Sequence, residues 1–306
     1  MLVVFGAFLV AVAGSVAGVA LLGSHPPAPR PAGEARGQFA GAPARAAPGA
    51  AMAAPASRSS ARPWHQDPFG ATAVRYLATR AGTVLAAVYD VATGQTWRLG
   101  QGQPQHEASV VKLDVLETLL ARPGALSASD RSLARRMIED SDNDAATSLW
   151  YEVGGASGIR SFNAAASLAT TTPSSCVTCP GFPWPGWGLT TTVPADQLVL
   201  LKKLLMPGGL LTGADRAYAL SLMENVAPAQ RWGVSGGVPA GVTVALKNGW
   251  LPLDSAGSDW QINSVGWISG QGRNYLMAVL TTGNPSEQYG IDTIDHLAAT
   301  VWAAMR

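Results

Sequence analysis

Lysine is scarce in this chain. The 306 residues hold four, Lys112, Lys202, Lys203 and Lys247, and the remaining basic side chains are arginine. Charged residues amount to 13% and the net charge is +1, so the charge balance points to no nucleic acid and no acidic partner. There is no zinc-ligand spacing, no glycine-rich phosphate loop and no internal repeat. Cysteine occurs only as Cys176 and Cys179, in "CVTC". A thioredoxin-like redox pair needs a strand before it and a helix after it. Here Pro180, Pro183 and Pro185 follow, so a local structural disulfide is expected. One absence is local: between Val153 and Ala195 there is no aspartate or glutamate.

Residues 2–22 are apolar, glycine or serine throughout. That run is longer than a usual signal-peptide core and just reaches a bilayer span. No lysine or arginine precedes it, and the first that follows is Arg30. Residues 1–23 are expected to be a signal peptide or membrane anchor, placing the rest outside the cell or in its envelope. Residues 24–63, rich in Ala, Pro, Gly, Ser and Arg, bury too little to offset chain entropy and are expected to be a disordered linker. Residues 64–306 suit one domain, expected to be a monomer.

The spacing predicts a helix over 67–81, then two strands within 83–99 joined at Gly94. Helices are expected from Ser109 to Ala121, over 127–140 behind a capping-box-like Ser127 and Asp130, and near 141–152. Residues 168–190 form a long irregular loop. Helices over 193–205 and 214–225 follow, then strands at 242–250, 259–269 and 273–282, and a last helix over 291–305 with Ile291, Ile294, Ala298, Val301 and Met305 on one face. This order implies an α+β fold: an antiparallel sheet of about five strands, flanked by N- and C-terminal helices, with a helical subdomain inserted.

Lys112 lies three residues after Ser109 in "EASVVKLDVL", about 4.5 Å along one helix face. A serine hydroxyl needs a base to become a nucleophile. A lysine can be that base once burial or a nearby cation lowers its pKa, whereas an arginine stays charged. Taken alone, the tetrapeptide reads more simply as a capping serine and a surface lysine. "SDN" at 141–143 and "KNG" at 247–249 change that weighing. S-x-x-K, then S-D-N, then K-T-G is the ordered set of serine acylating enzymes, and this chain has all three, with asparagine in place of threonine.

On these motifs, and on "LTTTVPADQLVLLKKLL" and "RWGVSGGVPAGVTVALKNGW", residues 67–306 resemble the class A β-lactamase and penicillin-binding family. The resemblance implies that Ser109 is acylated, Lys112 is its base partner and Ser141 relays a proton to the leaving nitrogen. It implies that Asn143 positions Lys112 and holds the substrate amide, and that Lys247 attracts the substrate carboxylate. The backbone amides of Ser109 and Trp250 would form the oxyanion hole, with Asn248 and Gly249 beside the substrate. Substrates would be β-lactams or D-alanyl-D-alanine wall peptides, with no metal or organic cofactor. The alternatives are a D,D-peptidase or esterase, or a non-hydrolytic penicillin- or peptidoglycan-binding domain.

Class A enzymes use a loop glutamate to activate the deacylating water. Its absence here implies a slowly released acyl-enzyme. Asn248 replaces a hydroxyl residue, and the interval from Lys112 to Ser141 is short for class A, which implies a more open cleft. Trp184 and Trp187 in "CPGFPWPGW" are read as loop packing before substrate contact. "GVSGG" at 233–237 matches a nucleophile elbow but is followed by a proline. His106, Asp142, Trp260 and Trp267 are read as structural.

Overall fold

In the three late strands of the computed structural model, buried residues follow one another with few breaks, because helices cover both faces of the sheet. The structure describes residues 66–305; the expected leader and linker lie outside them. No helix among the described residues is long and apolar enough to cross a membrane.

The strands are β1 (Thr83–Asp90), β2 (Thr96–Leu99), β3 (Gln105–His106), β4 (Thr191–Thr192), β5 (Thr243–Pro252), β6 (Trp260–Gly270) and β7 (Arg273–Asn284). Five form an antiparallel sheet in the order β2-β1-β7-β6-β5, and β3 pairs with β4 apart from it. The helices are α1 (Gly70–Leu77), α2 (Val111–Leu120), α3 (Ala128–Glu139), α4 (Asn143–Glu152), α5 (Gly155–Ala166), α6 (Pro194–Leu205), α7 (Gly213–Glu224) and α8 (Glu287–Ala304).

Side chains alternate between two cores, as the two-residue period of a strand requires. Ala87, Leu276, Ala278 and Val265 face the helical side with α2, α4 and α6. Ala86, Val88, Met277 and Val279 face Ile294, Leu297, Ala298 and Val301 of α8. All ten residues of α2 are buried, which carries Lys112, Asp114 and Glu117 into the interior.

The expected α+β architecture holds, with local differences. α1 is shorter than 67–81, opening after Asp67 accepts the Phe69 amide at 2.9 Å. Ser109 sits in a 3-10 turn, Ala108–Val110, that leads into α2. The Ser127–Asp130 capping box is present. α8 starts at Glu287 because the Ser286 hydroxyl caps the Tyr289 amide. α5 was not expected: its glycines and serines are weak helix formers. Buried Ile159, Phe162, Asn163 and Ala166 supply the helical spacing that holds it.

Candidate active site

Three elements converge on the turn that carries Ser109. Ala108, just before it, has φ of +50°, a conformation that costs free energy in a non-glycine residue and persists only where neighbours enforce it. They do so here. Asn263 of β6 donates to the carbonyls of His106 at 2.8 Å and Glu107 at 3.0 Å. β5 presses against the turn at Gly249, where an added Cβ would stand 2.7 Å from the Ser109 nitrogen and 2.8 Å from the Val110 nitrogen. Only glycine permits that approach.

The first turn of α2 delivers Lys112. Its side chain is fully buried, and Nζ donates to the Ser141 hydroxyl at 3.0 Å, the Ser141 carbonyl and Asn143 Oδ1 at 2.7 Å. Ser141 has φ of +56° and lies just before α4, which Asp142 caps by accepting the Ala145 amide. From β5, Lys247 Nζ reaches the same Ser141 Oγ at 3.0 Å and the Asn248 carbonyl at 2.9 Å. Burial, then the neighbouring Lys247 cation, holds Lys112 well below the ordinary lysine range. Burial pushes Lys247 down to about 7. Two amines that both hold their protons less tightly than ordinary lysines thus flank one hydroxyl, an arrangement able to pass a proton.

Ser109 and Asn143 open into a cavity of about 350 Å³, walled by Phe182, Trp184, Trp187, Trp250 and Trp260. The loop that brings the first three is tied at both ends. Asp196 accepts the amides of Thr170 and Thr171 at 2.8 and 2.7 Å. Cys176 and Cys179 form a disulfide against Gly186, where a Cβ would meet Cys179 Sγ at 2.4 Å. The Trp187 ring lies 5.1 Å from Lys112 Nζ.

The sequence model of the beta-lactamase enzyme family matches residues 119–305, more than half of the chain. The chain belongs to that family. The matched segment includes Ser141, Asn143 and Lys247; Ser109 and Lys112 precede it and are tied to it by the contacts above. The chain is similar to the TLA-1 extended spectrum β-lactamase at 17% identity and TM-score 0.67, over 76% of this chain and 96% of that one. It is also similar to a class A β-lactamase from Bacteroides cellulosilyticus at 16% identity and TM-score 0.66, over 78% and 99%. At such identities the likeness is one of fold. A protein of Mycobacterium tuberculosis named "Putative lipoprotein LppW" is 29% identical over 214 residues, 66% of this chain. The match spans 64% of that relative's length.

Of the residues that the family's motifs single out, the structure gathers Lys112, Ser141, Asn143 and Lys247 into one hydrogen-bonded group, with Ser109 and Trp250 on the adjoining cavity. Asn248 faces elsewhere: it is buried, and its amide donates to the carbonyls of Gln230 at 2.7 Å and Trp232 at 3.0 Å. His106 donates from Nδ1 to the Leu189 carbonyl at 3.0 Å, and Ser235 belongs to a turn packed on α8, where Gly236 and Gly237 abut Asp295 and Ala299. Trp267 donates to Asn274 at the core edge. Trp260, Trp184 and Trp187 pack against the hydrophobic cores as expected, and each also stands on the cavity wall. Asn263 belongs to no motif in the sequence, and its one signal is a polar residue on an inward strand face. Three fully buried acids, Glu107, Asp114 and Glu117, likewise belong to none. Burial raises all three carboxyl pKa values, that of Asp114 to about 7.

Proposed function

We propose that the chain is a serine acyl-transfer hydrolase of β-lactams or D-alanyl-D-alanine-type wall peptides, with slow release of the acyl group. The supporting observation is the Ser141 hydroxyl, held at 3.0 Å by both Lys112 and Lys247 beside the cavity onto which Ser109 opens. In this reading neutral Lys112 takes the Ser109 proton as the oxygen attacks the carbonyl. The backbone amides of Ser109 and Trp250 stabilise the oxyanion. Ser141 passes the proton to the leaving nitrogen, and Lys247 polarises Ser141 and attracts the substrate carboxylate. The loop where a class A enzyme carries its deacylating glutamate has no acid between Val153 and Ala195. That missing acid supports acylation without rapid turnover. A small-molecule substrate and a monomeric enzyme are part of this proposal. The apolar segment 2–22 and the lipoprotein name of the mycobacterial relative support a place in the cell envelope.

Intact-mass spectrometry after mixing with a penicillin tests the reading. A lasting adduct on Ser109 is the expected result. Drug loss with no lasting adduct would indicate efficient hydrolysis and overturn slow release. No adduct, with ligand binding retained in Ser109→Ala, would indicate a binding domain and overturn the enzyme reading.

A further inference from the structure

We propose that the cavity beside Ser109 is a subsite for a ring-sized, uncharged apolar acyl group, so that the preferred acyl donors carry an aryl or similarly bulky apolar acyl portion. This inference rests on the serine reading above and names a substrate class for it.

The wall is aromatic from three directions. Trp184 and Trp187 come from the clipped loop, Trp250 from the end of β5 and Trp260 from the start of β6. An indole has one hydrogen-bond donor and no acceptor. Three of these four donors are bonded to the protein: Trp184 Nε1 donates to Asp144 Oδ1 at 3.2 Å, Trp187 Nε1 to Thr147 Oγ1 at 3.2 Å and Trp260 Nε1 to the Gly257 carbonyl at 2.9 Å. What those rings offer a ligand is carbon surface, suited to offset or edge-on packing with another ring.

No lining residue carries a charge. The nearest lysines, Lys112 and Lys247, are fully buried and donate to Ser141, Asn143 and the Asn248 carbonyl, on the side of the proton relay. A carboxylate on the acyl portion would lose hydration against this wall and gain no counter-ion, an unfavourable exchange. An apolar ring would gain burial of its surface. The volume, about 350 Å³, falls at the small end of the roughly 300–1,000 Å³ typical of small-molecule sites. The loop is also set in advance: the disulfide, the Asp196 bonds and Pro183 and Pro185 fix it before a ligand arrives, which lowers the entropic cost of binding.

Three chromogenic esters with one leaving group separate the acyl portion from everything else: p-nitrophenyl phenylacetate, p-nitrophenyl acetate and mono-p-nitrophenyl succinate. With each, the Ser109 Oγ–carbon bond forms, the carbon–oxygen bond to nitrophenol breaks, and the serine proton leaves with the nitrophenol. After subtraction of release by Ser109→Ala, the acylation rate constant for phenylacetate is expected to exceed those for acetate and succinate by at least about tenfold. Trp184→Ala and Trp260→Ala, checked for folding by thermal melting, are expected to lower the phenylacetate-to-acetate ratio severalfold. A wild-type ratio near one, a preference for succinate, or a ratio unmoved in both folded variants would overturn the subsite while leaving the serine chemistry standing. No Ser109-dependent release from any ester would overturn the serine reading itself, and this inference with it.

Discussion

Lys112 and Lys247 share one acceptor: each ammonium lies 3.0 Å from Ser141 Oγ, one arriving on a buried helix and the other on an edge strand. Burial lowers both below the usual lysine range, and the neighbouring Lys247 cation lowers Lys112 further. In the proposed mechanism, that relationship is what lets the pair move a proton.

Lys112→Ala is expected to slow Ser109 acylation by a factor of about 100–10,000, the usual share of a general base. Intact-mass spectrometry over time measures it, with circular dichroism to confirm the fold. Acylation at the wild-type rate would remove Lys112 from the mechanism.

The pH profile of acylation is expected to be bell-shaped. On the acid side, activity falls as Lys112 gains the proton that disables it as a base. On the alkaline side, activity falls through about 7 as Lys247 loses its charge. Arginine does not titrate in this range, so Lys247→Arg should remove the alkaline limb. Rates measured across the profile check this, and a limb that persists in the folded variant would assign it to another group.

Gly249→Ala places a methyl group 2.7 Å from the Ser109 nitrogen. Overpacking of that kind costs about 1–3 kcal/mol, and here it falls on the turn that carries Ser109. Acylation is expected to drop at least about tenfold with a lowered melting temperature. A variant with unchanged rate and stability would show that β5 does not hold the turn.

Asp114 is buried, accepts from Asn163 Nδ2 at 2.9 Å, and has its pKa raised from 3.8 to about 7 by burial. Between those values the folded state keeps a proton that the unfolded state gives up. Stability should therefore fall as pH rises from about 4 to about 7, by an amount on the order of a few kcal/mol. Asp114→Asn removes that titration and should make the decline of urea-unfolding stability shallower across the same window, with Glu107 and Glu117 keeping their share. An equally steep decline in the variant would place the dependence on other groups.

The order of the five main strands and of seven of the eight described helices, the capping box at Ser127, the cleft motifs and the missing loop acid were legible in the residues themselves. These are local matters: a two- or three-to-four-residue period, a cap, a spacing or a composition is written along the chain. Helix α5 was not legible, because its glycines and serines form a helix only when Ile159 and Phe162 are taken up by neighbours. The direction of the Asn248 amide, the hold of Asn263 on the Ser109 turn, the turning of Trp260 onto the cavity and the burial of Glu107, Asp114 and Glu117 were likewise decided only by tertiary structure. Each depends on which distant segment arrives alongside, and on whether water is excluded there, and neither quantity is encoded in any short stretch of sequence.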